Sequence, residues 1–238
     1  MSPRRRRVAP RLIGRTALVA TLLAAAFAPA ALATGTGQSP ALVGVIGHWT
    51  DVTDGGPAIT VDGTKWSGQT STVDVSAMGK RIFGSTVSDL LLSNWSAGGA
   101  FPLAIAPGVA NFTDGTVRVQ FKLVGGASDQ NAGIVFALNP NGEYLYARYN
   151  TKDGDLALWR YANGERAIIV HGTGTSKLAL GTWHELVLTV RGRNVTATVT
   201  GVPAIQLAHT LDATPAGKVG VWVKRDAITS FRSFRVQL

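Results

Sequence analysis

The sequence predicts an all-β protein built as a two-sheet antiparallel sandwich, and three observations carry that prediction. Between residues 116 and 123, Val117, Val119, Phe121 and Leu123 alternate with Arg118, Gln120 and Lys122. That period of two is the pattern of a strand with one buried face. Further strand-length runs follow at a spacing of roughly 8–12 residues, each bounded by Gly, Asn or Asp turn signals. Helical periodicity is almost absent, and no internal repeat suggests a propeller or a solenoid.

At the N-terminus, residues 1–33 read as an export signal. Arg4 to Arg7, with Arg11 and Arg15, form a basic region, residues 16–28 form an apolar run of 13, and Ala31-Leu32-Ala33 is a small-x-small cleavage site. Val8-Ala9-Pro10 fits the twin-arginine pattern poorly, so the general secretory route is expected, with the cut after Ala33. The apolar run is too short for a comfortable membrane span and no later stretch approaches one, so the expected product is secreted or periplasmic and not an integral membrane protein. This segment holds 6 of the 23 basic residues and none of the 14 acidic ones. The net charge of +9 therefore falls to +3 in the remainder, which gives no support to a nucleic-acid partner. With no cysteine in the chain, thiol catalysis, Cys-ligated zinc and iron–sulfur chemistry are excluded.

After the signal, 34–47 reads as a flexible mature N-terminus, in which 41–46 is either a short strand or part of the tether. Residues 48–238 then form one sandwich domain; about 205 mature residues suffice for a full core. The texture from 48 to 75 is turn-rich, with Ala58-Ile59-Thr60-Val61 set between Asp54-Gly55-Gly56-Pro57 and Asp62-Gly63. The run 87–92 fits a helix or a strand, and 94–107 is loop-like, ending at a strand near Ile105.

Beyond the alternating run lie a polar connector, the apolar run 133–138 and the turn Asn139-Pro140-Asn141-Gly142. The next run, 143–150, has two faces. Leu145, Ala147 and Tyr149 make one, and Tyr144, Tyr146, Arg148 and Asn150 make the other. Two tyrosines, an arginine and an asparagine on one strand face mark a candidate recognition surface; the plain alternative is a solvated sheet face. Strands are expected at 155–161, 167–171, 182–190 and 195–200. Residues 218–224 send Val219, Val221 and Val223 inward, with Lys218, Trp222 and Lys224 outward, and the last run closes with Phe234, Val236 and Leu238.

Several phrases also carry a family likeness: Phe112-Thr113-Asp114-Gly115, Asp129-Gln130-x-Ala132-Gly133, Tyr144-x-Tyr146-x-Arg148-x-Asn150, Trp183-His184, and the run from Gly217-Lys218-Val219 to Trp222-Val223-Lys224-x-Asp226. Val61-Asp62-Gly63-x-Lys65-Trp66 adds to them. With these, the stretch 112–238, about half of the chain, resembles the concanavalin A-like jelly-roll superfamily, which includes laminin G-like modules and glycoside hydrolase family 16. Within it the stretch is similar to bacterial 3-keto-disaccharide hydrolase domains. The resemblance implies a jelly-roll sandwich whose concave sheet carries a carbohydrate or glycoside ligand. It implies Gln130, Tyr144, Tyr146, Asn150 and Trp222 as ligand-binding residues, the rings stacking on a sugar and the amides bonding its hydroxyls.

It further implies Asp129, Arg148, Lys224 and Asp226 as catalytic candidates. A 3-keto group acidifies the neighbouring C–H, so Asp129 or Asp226 would remove that proton, and Arg148 or Lys224 would stabilise the enolate while the glycosidic bond leaves. Water then adds. Two features depart from the family. The three glutamates, Glu143, Glu165 and Glu185, are far apart, unlike the paired carboxylates of retaining glycanases. Arg232-Ser233-Phe234 stands where relatives carry an Asp-Asp-Phe phrase that assists a calcium site. No ligand motif is present, and His48, His171 and His209 lack zinc spacing, so participation of a divalent cation stays open. Trp183-His184 reads as a structural support at a strand start, its histidine hydrogen-bonded. Three functional readings follow: carbohydrate binding, 3-keto-glycoside hydrolysis, and a non-catalytic laminin G-like structural or adhesion role.

Overall fold

The computed structural model describes residues 37–65, 101–163 and 165–238. The expected export signal and the ambiguous run 87–92 lie outside the described residues. In chain order the strands are β1 (Val43–Ile46), β2 (Trp49–Thr53), β3 (Pro57–Asp62), β4 (Leu103–Ile105) and β5 (Gly115–Gly125). Next come β6 (Asn131–Leu138), β7 (Tyr144–Asn150), β8 (Asp155–Ala162), β9 (Glu165–His171) and β10 (Trp183–Arg191). The series ends with β11 (Asn194–Val199), β12 (Gln206–Thr210), β13 (Lys218–Trp222) and β14 (Ile228–Gln237). They pair antiparallel into two sheets, with orders β1-β4-β13-β6-β7-β8-β9 and β12-β11-β10-β5-β14-β3-β2. Among the described residues there is no α-helix, only the short 3₁₀ turn Gly63–Lys65.

The alternation in β5 is what seats the two sheets. Val117, Val119, Phe121 and Leu123 are fully buried, whereas Arg118, Gln120 and Lys122 stay partly exposed. Across the β5–β10 ladder Val117 faces Leu188 and Val119 faces Leu186, so both strands present apolar side chains to the same side. These meet Ile134, Phe136, Ala147, Tyr149, Val219 and Val221 of the other sheet in the inter-sheet core. Each such large side chain contributes about 1.5–3 kcal/mol by leaving water.

The sheet containing β7 has a second apolar cluster on its outer face, made of Val45, Ile46, Leu103, Ile105, Val135, Leu138, Tyr144, Tyr146, Tyr161 and Trp222. None of these belongs to the inter-sheet core, so this sheet buries side chains on both faces.

At the start of the described chain, the segment expected to be a flexible lead-in is held by backbone pairing. Gln38 and Val236 exchange two hydrogen bonds of 2.8 and 2.9 Å, and β1 lies antiparallel to β4. Val45 and Ile46 are buried, which explains why 41–46 takes the strand form. Two strands were not expected from the sequence, β2 and β12. Both are short edge strands with mostly exposed or half-exposed side chains, so they lack the apolar alternation that announces a strand.

Candidate functional site

Tyr144, Tyr146, Arg148 and Asn150 share the outer face of β7, as the alternation predicts, but that face is not open. All four are at most 4% exposed, and Trp222 on β13 is fully buried. The expected exposed platform is corrected, and the reason is that the rings cover one another. Tyr146 stacks on Trp222 with centroids 4.1 Å apart, Tyr144 stacks on Tyr161 at 4.8 Å, and Phe101 lies against Trp222 at 5.6 Å. Trp222 Nε1 donates to the Tyr144 hydroxyl at 3.2 Å. Gly133 makes room for this layer: a Cβ there would sit 3.4 Å from the Trp222 indole and 3.0 Å from the Ala147 carbonyl oxygen. Burial pushes the Tyr146 and Tyr161 phenols up to about 12, and the Tyr144 phenol well above its ordinary value.

Beside the aromatic layer the same face turns polar. Arg148 donates to Asp155 Oδ1 at 2.9 Å and lies 3.5 Å from Asp153 Oδ2. Asn150 Nδ2 donates to Asp153 Oδ2 at 2.7 Å, and the second Asp155 oxygen lies 3.1 Å from His171 Nδ1. The tight turn between β7 and β8 builds this group. It places Asp155 opposite Asn150 in the ladder and closes with a 2.7 Å bond from Gly154 N to Asn150 O.

On the other side Asn131 faces Asn150 across the β6–β7 ladder, and Asn131 Oδ1 accepts the backbone N–H of Lys224 at 2.9 Å. Lys224 Nζ lies 3.2 Å from Asp129 Oδ2 and 3.4 Å from its Oδ1, in a pair that is buried at both ends. The more exposed Arg225 adds a third charge, 3.7 Å from Asp129. Loss of water lowers the Lys224 pKa, the Asp129 carboxylate works against that, and Arg166 and Arg225 reinforce it. The structure thus brings Asp129, Lys224, Arg148 and Asn150 to one end of one face.

Asp226 and Gln130 serve that end from behind. β13 stops at Trp222, so Trp222, Lys224 and Asp226 do not form one strand face. Asp226 instead accepts the backbone N–H groups of Ala127, Ser128 and Asp129 at 2.7, 2.8 and 3.0 Å. Burial would raise its pKa, but these three donors outweigh that and lower it. A carboxylate saturated in this way is a poor base, which corrects the catalytic expectation for Asp226; it fixes the loop that presents Asp129. Gln130 Nε2 donates to the Gly126 carbonyl at 2.9 Å and closes the same loop. At Gly126 the backbone is left-handed (φ 132°), and a Cβ would collide with the Asp129 carbonyl oxygen.

Elsewhere, the Trp183 ring lies between Arg232 and Lys122, 4.1 and 5.2 Å from its centroid. His184 packs 5.8 Å from Phe121, but its Nε2 is buried without a hydrogen-bond partner, so it supports by packing and not by the expected bond. Burial lowers its pKa. Among the described residues no group of three or more His, Asp or Glu side chains could hold a metal ion, and no helix is long and apolar enough to cross a membrane.

Sequence reasoning passed over Asp153, Asp155, Trp159 and Arg166, and weighed His171 only as a zinc ligand; all lie on or beside this face. Two acids at five and seven residues after Arg148, across an Asp-Gly turn, were the available signal. Trp159 and Arg166 join only through the β7–β8 and β8–β9 registers, which no local pattern displays.

No family model matches the chain, and no curated protein matches it. Solved structures do. A carbohydrate-binding module from Bacillus subtilis aligns with a TM-score of 0.57 at 13% identity, covering 84% of this chain and 97% of that one. A Bacillus subtilis protein of unknown function with a galectin-like fold aligns at 0.43 and 13% identity, covering 58% and 77%. A Bacillus licheniformis β-glucanase aligns at 0.39 and 11% identity, covering 58% and 71%. With the two antiparallel sheets, the first of these makes the architecture a jelly-roll sandwich.

Proposed function

We propose that the chain is a secreted protein that binds glycans on the outer face of the β7 sheet, at the end where Arg148, Asp155, Asn150, Asp129 and Lys224 converge. The observation that carries this reading is the adjacency of buried, hydrogen-bonding charges and a stacked aromatic layer on one sheet face. Fixed polar groups serve the hydroxyls of a sugar, and the packed ring layer beside them holds those groups in place. A fold shared with a carbohydrate-binding module supports it. The test is affinity electrophoresis against a panel of soluble polysaccharides, with Asp155→Asn as the variant. At least one polymer should retard the protein, and Asp155→Asn should weaken that retardation by about tenfold or more, because a lost charged hydrogen bond is worth roughly 1.5–3 kcal/mol. If no polymer retards the protein, the reading is wrong.

The Lys224–Asp129 pair favours a second reading, 3-keto-glycoside hydrolysis. A buried carboxylate beside a lysine whose charge is disfavoured is a proton-handling arrangement. Asp129 would take the proton next to the ketone, Lys224 or Arg148 would carry the enolate charge, the glycosidic C–O bond would break with that proton passing from Asp129 to the leaving oxygen, and water would add across the resulting double bond. Release of free 3-keto-glucose from a 3-keto-glucoside, with and without divalent metal, tests it. No release in either condition excludes it.

A further inference from the structure

Among the described residues, four buried donor atoms on this face have no hydrogen-bond partner: the Tyr146 hydroxyl, Arg148 Nε, Trp159 Nε1 and one terminal nitrogen of Arg166; the one unpartnered acceptor there, Asp129 Oδ2, is already taken up in its ion pair with Lys224 at 3.2 Å. They come from three adjacent strands. Tyr146 faces Trp159 across β7–β8, and Arg166 faces Tyr161, two residues along from Trp159, across β8–β9. Both guanidinium groups attend the same indole, Arg148 at 5.5 Å and Arg166 at 4.7 Å from the Trp159 ring centroid. Unpaired buried polar atoms number a few per hundred residues in native proteins, so four in one patch call for an explanation. All four can donate, and three of them can only donate. The patch is short of acceptors.

Its charges tell the same story. Arg148 is met by Asp153 and Asp155, and Lys224 and Arg225 share Asp129. Arg166 has no carboxylate within ion-pair distance among the described residues; its contacts are with the Trp159 and Phe101 rings, at 4.7 and 5.5 Å. It lies near enough to Lys224 to oppose that residue's charge, and near enough to Tyr146 to act on its hydroxyl, although the hydroxyl and one terminal nitrogen of Arg166 both remain without a hydrogen-bond partner among the described residues. A neutral sugar hydroxyl offers a donor for every acceptor, whereas a carboxylate or sulfate ester only accepts and also answers the unmatched cation.

We infer that the glycan bound on this face carries an anionic group, a uronate carboxylate or a sulfate ester. Arg166 receives it, and Tyr146, Trp159 and Arg148 supply the surrounding donors. This rests on the glycan-binding reading above. Arg166 is half-buried on the edge strand β9 and lies over Trp159, so turning its long side chain outward exposes both its free nitrogen and the indole edge.

Calorimetry on the purified protein tests this with polygalacturonate, dextran sulfate and neutral dextran at low and moderate salt. Binding of either polyanion, tighter than dextran and weakened at least tenfold both by Arg166→Gln and by Trp159→Phe, supports it; preference between the two polyanions identifies the anion. Arg166→Lys should keep part of the affinity. Trp159→Phe keeps a ring and removes the N–H, and thermal melts of all variants confirm folding. Polyanion binding that Arg166→Gln leaves unchanged is attraction to charge elsewhere and overturns the inference. Equal or tighter binding of neutral dextran overturns it while leaving the glycan reading intact. If nothing binds, both fail.

Discussion

The Tyr146 hydroxyl is both buried and unpartnered, and that combination makes it the most informative single atom to remove. Its folded pKa of about 12 exceeds the ordinary 10.0, so the native state holds the phenolic proton more tightly than the unfolded chain does. The associated stability is present in full below pH 10 and is lost as pH rises toward about 12; Tyr161 behaves in the same sense. Tyr146→Phe should therefore flatten the fall in melting temperature between pH 10 and pH 12. At neutral pH it should raise stability by about 1 kcal/mol, since an unsatisfied buried hydroxyl is a cost and not a bond. Chemical denaturation at pH 7 checks the second part. A gain in stability coupled to weaker glycan binding would show that this hydroxyl is kept for the ligand and not for the fold.

Among the elements, the trio β13, β6 and β7 sets the shape of the proposed glycan face, and its tolerance is narrow. Gly133 lies beneath Trp222, so Gly133→Val should push the indole off Tyr146 and cost about 2 kcal/mol through overpacking. Loss of near-UV circular dichroism with unchanged far-UV signal would register the displaced stack. How much of this face could be read in advance varies strand by strand. The inward set of β5 was legible because Val117, Val119, Phe121 and Leu123 bury on one side only. The two faces of β7 were legible for the same reason. Their burial was not: Tyr144, Tyr146 and Trp222 look polar-aromatic one at a time, and only the pairing of β7 with β8, and of β6 with both β7 and β13, stacks them on one another. Asp226 was misread because its role depends on three backbone N–H groups about a hundred positions away in sequence, contacts that no strand pattern encodes. Edge strands β2 and β12 were silent because a strand with little to bury has no reason to alternate.

At the scale of the whole molecule, the placement of β14 matters most. It lies between β5 and β3, pairing with β5 along most of its length, and its Phe231, Phe234 and Val236 enter the inter-sheet core. Removing residues 228–238 should therefore abolish folding altogether, with far-UV circular dichroism showing a disordered chain and not a slightly weakened sheet. A terminal strand that merely decorated the edge would give a folded, less stable protein, and that result would contradict the assignment.

The same placement has a consequence in time. β5 meets β14 across roughly a hundred intervening residues, a long-range pairing that slows folding in isolated domains. During synthesis the seat between β5 and β3 stands empty until β14 leaves the ribosome, so the apolar faces around it cannot close early. Until then the sandwich is a thread with one stitch missing, fastened only when β14 slides home between its two neighbours.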